Sequence, residues 1–387
     1  MSEFEFYLPV EVVFGAGCVS KVGQIARRFG FKALVITGKK STKENGALES
    51  VLDSLKKAGI NEVLVFDRVE TNPTDKLVNE ASHIAVREKV DFIIGLGGGS
   101  SLDTAKAVSI VSSNEGYAWD YVNYPEGPRL IPFLNRPVIC IPTTAGTGSE
   151  VNRYSVISNP IRREKLVISH SLNYPRVAIV DPELTVSMNP RLTAITGIDA
   201  FMHALESFTN RAYNPLADEL AIRSAKIIKD WLPVAIEEPQ NLKAREMMSY
   251  AAMLAGIAID KKRVALIHAM EHPVSAHYPH VIHGEGLAAL APAITEFNYR
   301  GNPEKYELFA EALGYPRKAF KAVDVVIDLL QKVNLRVSLK SLGVRRESIE
   351  KLAEDVCLLS WTSFHLNPVE PSQEDIYRLY DRAYEGF

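Results

Sequence analysis

Short apolar runs that alternate with amphipathic helical patterns dominate the first half of this chain. The apolar runs are residues 32–37, 62–66, 91–95, 137–141 and 176–181. Helical patterns lie between the early runs, at residues 46–55, 76–88 and 101–111. Such alternation is typical of a mostly parallel sheet that is covered on both faces by helices. We therefore predict an α/β domain of Rossmann-like type in the N-terminal half.

The pattern changes after about residue 190. Apolar residues now recur with the helical period of 3.6, as at residues 217–231 and 322–335, and strand signals almost vanish. Asp181-Pro182 and Asn189-Pro190 supply turns near the change. A chain of 387 residues is also long for a single core. These observations predict two domains, an α/β domain at residues 1–185 and an all-helical domain at residues 186–387.

Composition excludes several classes of protein. The net charge of −3 gives no basic excess for binding nucleic acid, and no apolar run is long enough to span a bilayer. The N-terminus lacks the pattern of a signal peptide. Three cysteines, Cys18, Cys140 and Cys357, are too far apart for a zinc knuckle or a redox pair. We predict a cytoplasmic protein that binds a small molecule and neither nucleic acid nor membrane.

Two glycine-rich segments follow predicted strands, at residues 95–106 and 142–150. In the first, glycines open a helix, where backbone amides and the helix dipole favour a pyrophosphate. The second concentrates threonine, serine and glycine at the carboxyl edge of the sheet, where open α/β folds bind ligands. A serine-capped turn and an ordinary surface loop are the alternatives. Together the two segments favour a dinucleotide site.

The turn after the first predicted strand bears on the choice of cofactor. An acidic residue there would bind the adenosine ribose and repel a 2′-phosphate. This chain has Gly38, Lys39, Lys40 and Ser41 instead, which suit a phosphate dianion. We therefore predict NADP(H) in preference to NAD(H). The alternative is that both lysines are simply solvated turn residues.

Histidines are concentrated in the second half. Six of the nine fall within residues 197–206 and 268–284. Asp199 and His203 are spaced i, i+4, as are His268 and His272, so each pair would share one helix face. His283 follows a predicted break. Imidazole and carboxylate donors together fit Fe²⁺ or Zn²⁺, although spacing alone leaves open which of the five later histidines are ligands.

These segments together resemble the iron-containing (group III) alcohol dehydrogenases over essentially the whole chain. The matching residues are Phe14-Gly15, Asn72-Pro73-Thr74, Gly97 to Ser100 with Asp103 and Lys106, residues 142–150, 177–184, 197–206 and 268–284. The segment with Glu271 and His283-Gly284-Glu285-Gly286 is similar to the butanol dehydrogenase branch. Two departures from the common pattern are Ser101 and Ile282, where prolines are frequent.

The resemblance implies an N-terminal dinucleotide-binding domain, a helical C-terminal domain and a cleft between them for cofactor and metal. It implies a metal-dependent alcohol dehydrogenase or aldehyde reductase, with Fe²⁺ favoured over Zn²⁺, and a homodimer. The implied metal ligands are Asp199, His203, His268 and His283, and His272 is the implied proton-transfer residue. The cofactor contacts predicted from the turn and from the resemblance are Gly38, Lys39, Ser41, Gly98, Gly99, Ser100, Asp103, Thr143, Thr144, Thr147 and Lys165.

Three other functions are compatible with parts of the pattern. A lyase of the dehydroquinate-synthase type also combines a nicotinamide cofactor with a metal. A metal-free reductase related to maleylacetate reductase is a second alternative, and a nucleotide-binding regulator with an inactive metal site is a third. The Asp199–His203 pair and the glycine-rich segment ending at Glu150 favour the dehydrogenase.

Overall fold

The computed structural model describes residues 3–132 and 134–387, which divide into two compact units. One unit is Leu8–Met188. The other is Asn189–Phe387 together with the N-terminal stretch that ends at Tyr7. The predicted domains, residues 1–185 and 186–387, stay a prediction about how the protein is organised.

A six-stranded, fully parallel sheet forms the centre of the first unit, with strand order β1-β8-β5-β4-β2-β3. A separate antiparallel hairpin consists of β6 and β7. The strands are β1 Glu11–Phe14, β2 Lys32–Gly38, β3 Glu62–Val69, β4 Phe92–Gly97, β5 Val138–Pro142, β6 Tyr154–Asn159, β7 Glu164–Ser169 and β8 Val177–Val180. Every residue of β4 and β5 is buried, which explains their unbroken apolar sequence.

Helices connect these strands as the amphipathic patterns predict. They are α1 Val22–Ala26, α2 Ser41–Glu44, α3 Ala47–Lys57, α4 Asp75–Arg87 and α5 Gly99–Ser113. Thr74 caps α4 by accepting a hydrogen bond from the Leu77 amide at 3.2 Å. The side chains of α1 and α3 share a buried core with β2, β4, β5 and β8. The predicted fold class of this half, a mostly parallel α/β sheet, is confirmed.

Two strand features were not predicted from the sequence. β1 has only four residues and pairs with β8, which is distant in sequence. The hairpin of β6 and β7 turns around Arg162 and Arg163, and Arg163 adopts a left-handed φ of 55°. None of the strands β1, β6 and β7 carries a long apolar run, because polar residues interrupt the pattern. These strands form because they pair with other segments of the chain, and a local sequence pattern does not reveal that pairing.

The second unit is helical, and the described residues contain no strand beyond β8. Its helices are α6 Pro190–Thr209, α7 Pro215–Glu237, α8 Leu242–Lys262, α9 Leu266–His277, α10 His283–Asn298, α11 Pro303–Ala312, α12 Lys321–Lys332, α13 Ile349–Leu359, α14 Trp361–Leu366 and α15 Gln373–Glu385. α6 begins sharply because Asn189 caps the Leu192 amide at 2.8 Å and Pro190 occupies the first turn. Among the described helices, none has the length and apolarity that crossing a membrane requires.

Candidate metal centre and dinucleotide loops

Three helices of the second unit bring the predicted metal ligands together. α6 carries Asp199 and His203 one turn apart, and both are buried. α9 carries His268, also buried, in its first turn. The break that was predicted after α9 is present, and His283 is the first residue of α10.

One carboxylate oxygen lies at the centre of the three imidazoles. Asp199 Oδ1 is 3.5 Å from His203 Nε2, 3.6 Å from His268 Nε2 and 3.8 Å from His283 Nε2. Ligands bound tetrahedrally at about 2.1 Å from one ion lie roughly 3.4 Å from each other. The rings of His203 and His268 stack, with centroids 4.5 Å apart. Asp199, His268 and His283 offer ligand atoms that all lie within 4.8 Å of one another, as donors to a single divalent cation would, and His203 Nε2 lies beside this group at Asp199 Oδ1.

The hydrogen bonding of these donors is also that of ligand atoms. Within the described part of the chain, Asp199 Oδ1 and His268 Nε2 are buried and have no hydrogen-bond partner. A buried polar atom without a partner costs about 1–3 kcal/mol. A bound cation would remove that cost for both atoms at once. The residues present thus fit a metal ion of the kind that imidazole and carboxylate donors prefer.

The buried charges at this centre also favour a bound cation. Burial alone would raise the pKa of Asp199, but the neighbouring imidazoles, His203 above all, hold it well below its usual range. Burial alone would lower the pKa of His268, but the Glu206 carboxylate outweighs it and raises that pKa to about 9. The buried carboxylates therefore favour positive charge at this position, which a proton on His268 or a divalent cation can supply.

Two glutamates that the sequence reasoning did not assign lie behind the histidines. His268 Nδ1 is 2.5 Å from Glu206 Oε2, and His283 Nδ1 contacts Glu271 Oε2. Both glutamates are buried. A signal for them existed in the sequence, because Glu206 follows His203 by three residues and Glu271 follows His268 by three, which places each near the ligand face of its helix.

The structure separates the remaining histidines of the cluster. His272 lies on α9 with its ring centroid 5.8 Å from that of His283, so it is adjacent to the ligands. His277 Nε2 bonds instead to Asp355 Oδ2 at 2.7 Å. His280 is exposed and bonds to the Leu342 carbonyl at 3.1 Å. His277 and His280 thus bond to residues outside the candidate metal centre. Their spacing in the sequence alone could not exclude them as ligands.

The two glycine-rich segments meet at the N-terminus of α5. Gly97 has a φ of 144° and its carbonyl accepts the Thr143 amide at 2.9 Å. A Cβ on Gly99 would lie 2.5 Å from Thr147 Cγ2, whereas one on Gly98 would lie 3.4 Å from Thr144. Side chains in this turn would therefore collide with the second segment or crowd it. Ser100 follows within the same first turn of α5.

Asp103 and Lys106 attach α5 to the chain that follows the second glycine-rich segment. Asp103 accepts hydrogen bonds from the Ser149 hydroxyl and, at 3.0 Å, from the Val156 amide. The Lys106 ammonium is fully buried and donates to the Ser149 carbonyl at 2.9 Å and to the Asn152 carbonyl at 3.2 Å. Both side chains thus hold the loop in place beside the helix N-terminus.

The other predicted cofactor residues occupy two further places. Gly38 ends β2, whose Thr37 is paired with Leu96 of β4, so it neighbours the glycine turn. Lys39 is exposed and forms an ion pair with Glu70. Ser41 begins α2. Lys165 lies buried on β7, in the hairpin whose β6 strand contacts Asp103.

Models of one enzyme family match both units of the chain. The model described as iron-containing alcohol dehydrogenase matches residues 9–182, and the model of the Fe-containing alcohol dehydrogenase family, C-terminal, matches residues 193–384. Choline dehydrogenase of Bacillus subtilis (strain 168) is 36% identical, over 90% of this chain and 88% of its own length. NAD-dependent methanol dehydrogenase of Bacillus methanolicus is 34% identical, over 98% and 99%.

Solved structures share the same fold. The structure of an archaeal halo-thermophilic Red Sea brine pool alcohol dehydrogenase bound to NZQ superposes with a TM-score of 0.95. It is 35% identical to this chain, and the match covers 99% of each chain.

Proposed function

Because the chain belongs to the iron-containing alcohol dehydrogenases, and is therefore an oxidoreductase that interconverts alcohols and aldehydes, we propose how its own residues serve that reaction. Asp199, His203, His268 and His283 hold one divalent ion, Fe²⁺ in preference to Zn²⁺. The observation that carries this proposal is the convergence of three imidazole Nε2 atoms within 3.5–3.8 Å of Asp199 Oδ1.

When bound, such an ion supplies Lewis acidity at the substrate oxygen, and the nicotinamide supplies the hydride acceptor or donor. Asp199, His203, His268 and His283 would hold this ion in a fixed position. His272, one helical turn after His268, accepts the alcohol proton during oxidation and returns it during reduction. The glycine amides at the start of α5 bind the dinucleotide pyrophosphate, and Thr143, Thr144 and Thr147 supply hydroxyl contacts.

We further propose that the cofactor is NADP(H) in preference to NAD(H), with Gly38 as the residue that permits it. The residue that ends β2 is Gly38, which has no side-chain carboxylate to repel a 2′-phosphate. Lys39 is paired with Glu70, but both side chains are more than half exposed. Such a pair contributes about 0–1 kcal/mol, so the ammonium can exchange its partner for a phosphate.

The discriminating experiment replaces Gly38 by Asp. A Cβ there meets only ordinary contacts, with the nearest atom at 3.7 Å, so the variant should fold. We expect kcat/KM with NADP(H) to fall at least about tenfold relative to that with NAD(H), because a carboxylate repels the 2′-phosphate and binds the ribose. If the unchanged enzyme already prefers NAD(H), as the NAD-dependent methanol dehydrogenase of Bacillus methanolicus does by name, the proposal is refuted.

The metal proposal is tested by elemental analysis of anaerobically purified protein, together with a panel of short alcohols and aldehydes. His268→Ala should lose bound metal and turnover together, because it removes a buried ligand. Full turnover without metal would instead support a metal-free reductase. Dinucleotide binding without turnover on any member of the panel, in the presence of Fe²⁺ or Zn²⁺, would favour a regulatory role.

The resemblance also supports a homodimer, and the three widely spaced cysteines, which form no disulfide, support a reducing cytoplasm. Sedimentation equilibrium of the purified protein tests the dimer.

A further inference from the structure

We infer that Glu206 and Glu271 are positioning residues that fix the ring tautomer and orientation of His268 and His283. The inference rests on the proposed metal site and concerns how this chain prepares that site before any ion binds. In each pair a buried carboxylate accepts from Nδ1, so Nε2 is the ring nitrogen that faces Asp199 Oδ1 and is left to bind an ion. A carboxylate on the far side of the ring also makes the imidazole a stronger donor.

Glu206 acts across two helices. Its Oε2 contacts His268 Nδ1 at 2.5 Å, while its Oε1 accepts the Ile267 amide at 2.6 Å. The residue that precedes α9, Ala265, has no side chain that can cap it, so Glu206 satisfies one of the free amides of the first turn. A carboxylate at this end of a helix is also favoured by the helix dipole. Glu206 therefore fixes both the ring of His268 and the start of its helix.

The position of the Glu271 side chain depends on a glycine of the neighbouring helix. It is completely buried, and a Cβ on Gly286 would lie 2.8 Å from its Cγ and 3.0 Å from its Oε1. Gly286 follows His283 by one helical turn on α10. The missing side chain leaves the space that Glu271 needs to reach His283 Nδ1. The close approach of α9 and α10 at this glycine is thus part of the ligand geometry.

Glu206 and Glu271 can be buried because each is paired with a histidine and lies near a position that suits a cation. An ionised carboxylate in a protein interior is unfavourable unless it is paired and hydrogen-bonded. Glu206 and Glu271 each receive an N–H from an imidazole, and with Asp199 they place three carboxylates around one position. A divalent cation at that position compensates their charge. Removing one carboxylate should therefore weaken metal binding even when all four ligands remain.

The test compares five variants by metal affinity, through competition with a chelator, and by ¹⁵N NMR of the histidine rings in the metal-free protein. Glu271→Leu removes the acceptor, and Glu271→Gln keeps a neutral one. Gly286→Ala leaves every charge but displaces Glu271. The matched control is Glu285→Gln, because Glu285 is a buried carboxylate on α10 that pairs with Arg191 and not with a histidine.

We expect Glu271→Leu to lower metal affinity about 10- to 100-fold and to change the tautomer of His283. Glu271→Gln should retain the tautomer with a smaller loss, and Gly286→Ala should weaken binding without a change in net charge. Glu206→Gln should give the corresponding smaller loss through His268. The control should retain both metal affinity and ring signals, and thermal melting verifies that each variant is folded.

Unchanged affinity and unchanged ring signals in folded Glu271→Leu would overturn the inference. So would an equal loss in Glu285→Gln, because it would show a general effect of charge. These readouts are independent of catalysis. If the unchanged protein binds metal as described but oxidises no alcohol, the proposed function fails while the positioning role stands. If the variants lose no metal affinity while the enzyme is active, only the positioning role fails.

Discussion

The side chains at the candidate metal centre divide into proposed ligands and a proposed proton-transfer residue. Asp199 and His268 contribute buried atoms whose bonding is incomplete among the described residues, as expected of ligands. His272 is less buried and stands beside His283. His272 lies on the same helix as His268 and next to the proposed ligands, but it is not one of the histidines grouped around Asp199 Oδ1. The two kinds of residue should therefore respond differently to substitution.

Replacing His272 by Ala should lower kcat by roughly 10²- to 10⁴-fold, because general acid–base catalysis is lost, and should leave metal content intact. Steady-state kinetics and elemental analysis measure the two effects. The control is His280→Ala, which removes an exposed histidine bonded only to a backbone carbonyl among the described residues and should change neither. Loss of metal in the His272 variant would make His272 a ligand.

Glu150 should make stability depend on pH. It is buried, and desolvation raises its pKa from 4.5 to about 7. The folded protein therefore binds more protons than the unfolded chain between these values, so stability falls as pH rises from about 4.5 to 7, by roughly 3 kcal/mol in total. Glu150→Gln removes the ionisable group. Its melting temperature should exceed that of the unchanged protein at pH 8 by more than at pH 5, and equal differences at both pH values would show that burial does not shift this carboxyl.

At the scale of elements, the first turn of α5 is held by the loop after β5, which packs closely against it. β4 and β5 end side by side, and the loop after β5 packs over the first turn of the helix. Asp103, one turn further along, accepts from the Ser149 hydroxyl of that loop, and Lys106, nearly a turn beyond it, donates to the Ser149 carbonyl. The amides of the first turn are thus held in a fixed arrangement by contacts outside the helix. This preorganisation is what a phosphate site at a helix N-terminus requires.

Gly99→Ala should weaken NADPH binding strongly, because the new Cβ would lie 2.5 Å from Thr147 Cγ2 and would push the second glycine-rich loop away. Titration of NADPH fluorescence measures the dissociation constant. Gly59→Ala is the control, since nothing lies within 4 Å of a Cβ there and the left-handed φ of 79° costs alanine about 1–2 kcal/mol of stability without moving a neighbour. Equal affinity in the two variants would contradict a phosphate site at this turn.

Across the whole molecule, the two proposed binding functions belong to different units. The proposed metal ligands all lie within Asn189–Phe387, and the proposed dinucleotide contacts all lie within Leu8–Met188. Each set is positioned by contacts inside its own unit. One function can therefore be removed while the other is retained.

Removing the metal with a chelator should abolish turnover and leave NADPH affinity unchanged. It should also lower the melting temperature, because an ion present at 100 times its dissociation constant stabilises the folded state by about 2.7 kcal/mol. Fluorescence titration and differential scanning calorimetry of the metal-free protein check both effects, and added Fe²⁺ should restore the starting values. Loss of NADPH binding on chelation would show that the dinucleotide site depends on the metal.

The sequence by itself determined the fold class and placed two of the four proposed metal ligands on one helix face. Apolar runs at the positions of β2, β4 and β5 predicted a parallel sheet, because buried strands must be apolar along their whole length. The i, i+4 spacing placed Asp199 and His203 on one face of α6, since the period of a helix is a local property. The glycine-rich turn at α5 was readable for the same reason.

Only the tertiary structure decided which later histidines join Asp199. His277 and His283 are equally plausible by spacing, but the packing of α6, α9 and α10 brings His283 to the carboxylate and directs His277 to Asp355. The carboxylates behind the rings depend on the same packing, because Glu206 reaches a histidine 62 residues away in the chain. Side-chain periodicity is fixed by each helix alone. The meeting of three helices is fixed by the burial of their faces against one another, which no local pattern specifies.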